Sequence, residues 1–481
     1  MQDPKSVAGK HGAPAEHAEL LVIGAGPAGI AAAIAGARDG AKVVLVDENP
    51  VAGGLMGLDV PLFYGQRMTA AVHNKPRMVE QVLSAKPALE EAFEAGVDVR
   101  LGVYAWGAFV NGPGVQTLPG RVVGLADDER SWLIGFDRLV VAAGARDFVV
   151  SFAGVEQPGV IGARALQSLI ATYDAFDGRR IVILGSGDLA VETAQQAQAR
   201  GLEVACLVEV RDSAQSVTDL PVLTGHAVAR AVGGPSGIEA VDLVGPGGAV
   251  TRIACDTICL AIGLVPVVEL ADVLGCRLAA RGDSGGHVPL VDGEGRSSIP
   301  GVSFAGDCAG VPSGDGYGYR LDWVRAQTRA GDGRELVCLC EEVSRAELLG
   351  MQPPRYLGCP PPQGHDLSSM LADGPPSHDQ MKRLTRVTMG HCQGRRCREQ
   401  VALHLALASN LDPAEVPLAG YRAPVRPLPL TVLADADEEQ VMRDRWEVWF
   451  GIPGQWTPYA DIGTEREVLD DESGLGDHMH L

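Results

Sequence analysis

A glycine-rich turn set between two apolar runs constrains this chain more than any other feature. Residues 20–23 (LLVI) open directly into Gly24-Ala25-Gly26-Pro27-Ala28-Gly29. A small-residue stretch, IAAAIAGARDG, then leads to a second apolar run, KVVLV, that ends at Asp47-Glu48. A short apolar run bounded by glycine reads as a buried parallel strand, and the small-residue stretch reads as the helix that follows it. Gly24 permits the tight turn, Gly26 lets backbone N–H groups approach a pyrophosphate, and Gly29 lets helix and strand pack closely. The acid closing the second strand is placed to take the ribose hydroxyls. Three spaced glycines alone mean little. Strand, turn, helix, strand and acid in order over about 30 residues is the context that the motif requires. The fold class is α/β, with a dinucleotide site on Gly24, Gly26, Pro27, Ala28, Gly29, Asp47 and Glu48.

Two later segments extend this reading. RLVVAAGAR (138–146) is a strand ending in small residues, where Ala143 and Gly144 let the backbone pass close to a ligand, and IPGVSFAGDCAG (299–310) is a strand ending in Gly306-Asp307. With the turn at Gly53-Gly54, this resembles the two-dinucleotide-domain flavoproteins. The resemblance implies FAD as the cofactor, with Asp307 hydrogen-bonding the flavin's ribityl chain. It also implies a discontinuous FAD domain over 19–151 and 265–330. Between its halves, after the link FAGVEQPGVIG (152–162), the strand–turn–helix–strand pattern recurs as RRIVILGSGDLAVETAQQAQARGLEVACLVE. Gly185, Gly187, Ala190 and Glu209 take the fingerprint positions of a nested domain over 152–264. An acid there prefers NAD to NADP, although Arg211 weakens that preference. Whether this second site takes NAD, ATP or nothing is left open.

Cysteine usage separates this chain from the disulfide reductases on the same fold. No cysteine stands beside the Gly53-Gly54 turn, and the nested domain contains no C-x-x-C. Cys206, Cys255, Cys259, Cys276 and Cys308 lie in or beside apolar runs and read as core thiols. Cys338-x-Cys340 and Cys392-x-x-x-x-Cys397 have a different setting. Lys382, Arg383, Arg386, Arg395, Arg396 and Arg398 gather around them in an otherwise acidic chain, and VALHLALASN after the second pair reads as a helix whose N-terminus faces it. Four thiolates suit zinc or an iron–sulfur cluster, and spacing alone does not choose. C-x-C-E-E with the later segment 385–394 (TRVTMGHCQG) resembles the bacterioferritin-associated-ferredoxin-like [2Fe–2S] domain, which implies a cluster on Cys338, Cys340, Cys392 and Cys397. That small α-rich domain is expected over 334–410. His391 reads as a neighbour of the ligands, and Cys359, in the insertion PPRYLGCPPPQG, as a loop thiol.

The remaining features bound partners and place. The chain has 481 residues, too many for one core, with 46% apolar and 21% charged residues as in ordinary globular proteins. No stretch approaches the roughly 20 apolar residues of a membrane span. Residues 1–18 are polar and read as a flexible tail rather than a signal, so a cytoplasmic location is expected. A net charge of −21 argues against nucleic acid. After a Pro-rich strap (411–433), residues 434–481 hold 13 acidic and 3 basic residues, with Trp446, Trp449, Phe450, Trp456 and Tyr459 among them. Aromatic anchors in acidic sequence suggest a docking segment.

Flavin domain, nested domain, cluster module and the strap YRAPVRPLPL together resemble the α (A) subunits of heteromeric opine oxidases, D-hydroxyproline dehydrogenases and hydrogen cyanide synthases. The resemblance covers roughly 19–432 and implies an oxidoreductase subunit that transfers electrons. A separate amino-acid-oxidase-like β flavoprotein would oxidise the C–N bond of an amino acid, opine or amine. Electrons would then leave through this chain to an external acceptor. An FMN between subunits and a small γ ferredoxin-like subunit are further candidates of the same resemblance. No general base, nucleophile or carboxylate clamp stands out; His73 and Arg77 are the nearest candidates and read as solvated. The alternative is a stand-alone NADH-dependent reductase that feeds an acceptor through its cluster.

Overall fold

The computed structural model describes residues 13–50, 65–112, 118–359 and 366–434. Gly53, Gly54 and residues 435–481 of the acidic aromatic segment lie outside the described residues.

The first apolar run becomes β1 (Glu16–Ile23), starting three residues before Glu19. It feeds α1 (Pro27–Arg38) and then β2 (Val43–Asp47), every residue of which is buried. Strands β3 (Asp98–Leu101), β4 (Tyr104–Phe109), β5 (Val122–Ala126) and β6 (Ser131–Val141) complete a seven-stranded sheet with the short strand Val302–Phe304. The order β3-β2-β1-β6 is parallel throughout, and Val302–Phe304 pairs parallel with the C-terminal end of β6. The antiparallel ribbon β6-β5-β4 curls off the other end. The carboxyl ends of β1, β2, β6 and Val302–Phe304 therefore meet at one edge, where open α/β sheets bind ligands.

A second, all-parallel sheet has the order Val222–Leu223, Glu203–Val208, Arg180–Leu184, Thr257–Leu260 and Val160–Gly162. The helix Asp188–Ala199 follows its central strand, and a three-stranded antiparallel sheet spans residues 227–254, just before the strand Thr257–Leu260. One apolar cluster runs from α1 and β1 through Ile161, Leu166 and Ile183 to Ala190, so the two halves share core.

From Leu336 the chain changes character. A two-stranded ribbon, Leu336–Cys338 with Val343–Ser344, is followed by the helices Arg345–Leu349, Leu367–Asp373, His378–Thr385 and Arg398–Ser409. Val337, Leu348, Met381, Val387, Val401 and Leu405 form their core together with Cys338 and Cys397. The residues through Pro429 make one compact unit, and a second begins with the helix Leu430–Ala434. No helix among the described residues is long and apolar enough to cross a membrane.

Candidate functional site

The glycine turn is held by backbone contact on two sides. Gly24 has φ +104°, and a Cβ there would lie 2.3 Å from the Ala142 carbonyl oxygen at the end of β6. A Cβ on Gly29 would lie 1.8 Å from the Gly24 oxygen, so only glycine fits either position. Gly26 caps α1 with open space beside it, and Pro27 occupies the first turn, where no backbone N–H is needed. The α1 N-terminus thus faces a cleft of about 330 Å³ lined by Gly24, Gly26, Asp47, Glu48, Ala143 and Gly144. Gly306 approaches from the other strand end: its Cβ would lie 2.9 Å from the Ala28 Cβ. Asp307 is half-exposed beside it, 4.0 Å from the Arg164 guanidinium.

The two acids at the end of β2 differ in their partners. Asp47 is buried, and its carboxylate accepts from Ala25 N at 2.5 Å, Asn49 N at 2.8 Å and Asn49 Nδ2 at 2.9 Å. Those bonds tie the glycine turn to the second strand. Glu48 is the accessible acid in the cleft, and Arg426 of the strap reaches it at 2.6 Å.

Several cleft residues were not singled out in the sequence. Lys86 Nζ donates to the Ala25 oxygen at 2.9 Å. Arg146 is paired with the buried Glu269. Burial would raise the Glu269 carboxyl, but the charge and hydrogen bond of Arg146 outweigh it and hold the group below its usual value. Arg395 enters from the cysteine loop and lines the same cleft. Arg146 had a signal as the last residue of RLVVAAGAR, and Arg395 had one only as a charge beside the cysteines; Lys86 and Glu269 come from elements distant in sequence.

In the nested domain, Gly185 repeats the geometry of Gly24, with φ +114° and a Cβ position 2.5 Å from the Ala261 oxygen. Gly187 caps the helix Asp188–Ala199, and Ala190 is fully buried beneath it. Glu209 is fully buried, and its carboxylate accepts from Ser186 Oγ at 2.5 Å, Tyr319 OH at 2.7 Å and Arg211 N at 2.9 Å. The 211–216 loop closes over the turn: Gln215 N donates to Ser186 Oγ at 2.9 Å, and Ser216 N to Ser186 O at 3.0 Å. Arg211 itself is tied to Asp315 and Asp322.

The four cysteines of the third module converge. Cys338 Sγ lies 3.8 Å from Cys340 Sγ, which lies 3.4 Å from Cys392 Sγ, and Cys397 caps the helix Arg398–Ser409. Cys338, Cys392 and Cys397 are buried, and Cys340 is partly exposed. Among the described residues, no three His, Cys, Asp or Glu side chains are grouped around a single ion position. The donor chemistry fits a thiolate-bound cluster on other grounds. A Cβ on Gly390 would lie 2.4 Å from Cys340 Sγ, so the loop passes where a side chain would displace the sulfur. The Cys340 thiol is pushed up to about 12 by its hydrogen bond to Cys338 and by burial, so it stays protonated at neutral pH and would become a ligand only by giving up that proton to a bound cation. Burial lowers Arg396 to about 10, against the pull of Cys392, and its Nε has no hydrogen bond among the described residues. Arg395 Nε donates to the Cys392 oxygen at 3.0 Å.

The five core thiols are all buried, and burial raises Cys206 to about 11 and Cys255 to about 12. Cys359 and His391 are exposed. Arg77 reaches Asp174, and His73 is exposed; neither lines the cleft.

Comparison with known proteins bears on these features. Residues 18–330 match the family Pyridine nucleotide-disulphide oxidoreductase, and residues 363–437 match the Sarcosine oxidase A3 domain. The chain is 26% identical to the opine oxidase A protein of Agrobacterium tumefaciens, over 86% of this chain and 91% of that one. It is 26% identical to the HcnB component of hydrogen cyanide synthase from Pseudomonas protegens, over 88% and 99%. The sarcosine oxidase alpha chain of Rhizobium meliloti is 31% identical over 53% of this chain but only 25% of its own length. Among solved structures, L-proline dehydrogenase from P. horikoshii superposes with a TM-score of 0.59 at 19% identity, covering 87% of this chain and 79% of that one. That likeness speaks to fold alone. Family membership implies FAD and a nucleotide as ligands. The chain belongs to the pyridine nucleotide-disulphide oxidoreductase family, as an oxidoreductase related to the A and alpha subunits of opine and sarcosine oxidases.

Proposed function

We propose that this chain is the electron-transfer subunit of a heteromeric dehydrogenase or oxidase acting on the C–N bond of an amino acid, opine or amine. FAD would lie in the cleft at the glycine turn, with a [2Fe–2S] cluster on Cys338, Cys340, Cys392 and Cys397. The substrate site would lie mainly on an amino-acid-oxidase-like partner. The observation that carries this reading is Arg395. It belongs to the loop between Cys392 and Cys397, is 6% exposed, and lines the flavin cleft. One short loop thus walls both centres.

A bound flavin exchanges two electrons with a donor and single electrons with a cluster. The residues of this chain prepare both sites. The α1 N-terminus, Lys86 and Arg395 offer positive charge to a pyrophosphate. Glu269 fixes Arg146 in the wall, and the strap residue Arg426 closes the ribose end through Glu48. Arg395 and Arg396, inside the cysteine loop, offset the negative charge of thiolate ligands.

The nested domain favours the subunit reading over a stand-alone NADH reductase. Glu209, the acid on which the adenosine ribose of NAD(H) would rest, already holds three donors of its own chain. Anaerobic stopped-flow spectroscopy tests the choice. NADH should leave the flavin of the isolated chain oxidised, and an amino acid or opine should bleach it only with the partner present. Rapid bleaching of the isolated chain by NADH would reverse the assignment.

A further inference from the structure

A second cavity, of about 290 Å³, has Tyr421 in its wall and shares no lining residue with the flavin cleft. Val268, Leu278 and Leu418 give it an apolar wall, and Asp272, Arg398 and Tyr421 bring polar groups to it. Arg398 is 4% exposed, and its guanidinium stacks on the Tyr421 ring, 3.2 Å from the centroid. No described residue gives it a hydrogen bond or an ion pair, and its Nε is fully buried. Burying even that one N–H unpaired is costly, and the four donors on the two terminal nitrogens remain available. The neighbouring Glu399 is committed to His287 Nδ1 at 3.3 Å, and the buried Glu269, whose carboxyl the Arg398 charge helps to hold down, is paired with Arg146. Stacking leaves the donor edge of the guanidinium free for the planar, two-point pairing that a carboxylate offers.

The acid in the same cavity is half-used. Asp272 Oδ2 accepts from Tyr421 N at 2.5 Å, and no described residue hydrogen-bonds to its other oxygen. A buried cation and a half-free carboxylate on one apolar wall match a zwitterion better than a simple anion, because a phosphate would be repelled by Asp272.

We propose that this cavity binds an α-amino acid, with the carboxylate on Arg398, the ammonium on Asp272 and an apolar side chain against Val268, Leu278 and Leu418. No redox step is assigned to it. The site is separate from the substrate site proposed for the partner, and it does not depend on the electron-transfer reading.

Isothermal titration of the full chain with L- and D-alanine and L- and D-leucine tests it, with 4-methylpentanoate (leucine without its amine) and inorganic phosphate as further probes. At least one of the four amino acids should bind. Its affinity should fall about tenfold or more in both Asp272→Asn and Arg398→Gln. The amine-free acid should bind more weakly than leucine and lose its affinity only in Arg398→Gln. Asp272→Asn keeps an oxygen for Tyr421 N and lies far in sequence from the cysteines, so it stays informative if Arg398→Gln disturbs the adjacent loop. Binding by none of the four amino acids, or binding unchanged in both variants, would overturn the proposal. So would phosphate binding that depends on Arg398 and strengthens in Asp272→Asn. Flavin and iron spectra of the same samples report on the electron-transfer reading independently.

Discussion

Glu269→Gln isolates the interaction that anchors the flavin cleft to its wall. Glu269 is 3% exposed and Arg146 20% exposed, so removing the carboxylate leaves a largely dry guanidinium opposite a neutral amide. Breaking a buried pair from one side costs about 3–5 kcal/mol. The partial exposure of Arg146 on the cleft side puts the expected loss near the lower end, about 3 kcal/mol. Urea unfolding of flavin-stripped protein measures it. The double variant Glu269→Gln/Arg146→Met removes both charges and should recover more than half of the loss, because an apolar replacement escapes the desolvation term. The pH dependence has a definite sign. Glu269 is held below its usual value in the folded state, so its contribution is complete above the unfolded value of about 4.3 and disappears as pH falls through the lower folded one. The gap between wild type and Glu269→Gln should be constant above about pH 5.5 and close in more acidic solution. A single variant within about 0.5 kcal/mol of wild type, the scale of an ordinary surface substitution, would refute the reasoning. A double variant less stable than the single one would refute it too.

Gly29→Ala places a Cβ inside the Gly24 carbonyl and should weaken FAD binding by roughly thirtyfold or more, equivalent to about 2 kcal/mol of strain, as read by fluorescence of released flavin. Arg426→Gln breaks a pair whose acid is 44% exposed and should weaken FAD about fivefold at most, a useful contrast in the same assay. Cys338→Ser should abolish visible absorbance from iron, whereas Cys359→Ser, at an exposed thiol, should leave iron content unchanged by elemental analysis.

The local parts of this architecture were legible because they are written in consecutive residues. The two apolar runs, the turn between them and its repeat at Gly185 each depend on backbone sterics that a few neighbouring residues dictate. What stayed hidden is pairing between distant elements. Nothing in the sequence near Asp47 says that its carboxylate is spent on Ala25 and Asn49, or that Glu209 is filled by Ser186 and Tyr319. An acid at a strand end reads as a ribose ligand until its neighbours are known. In the sequence Arg395 reads as one of the charges around the cysteines. Its second face, toward the flavin cleft, appears only once the loop is packed against the end of β6.

The proposed electron path requires an iron–sulfur cluster on the four converging cysteines, beside a flavin. Elemental analysis and EPR of the full chain, purified anaerobically and reduced with dithionite, test this directly. Iron and acid-labile sulfide in equal amounts, each twice the FAD, with a paramagnetic signal that Cys392→Ser removes, is the predicted result. Stoichiometric zinc without sulfide, in a chain that stays EPR-silent on reduction, would contradict it.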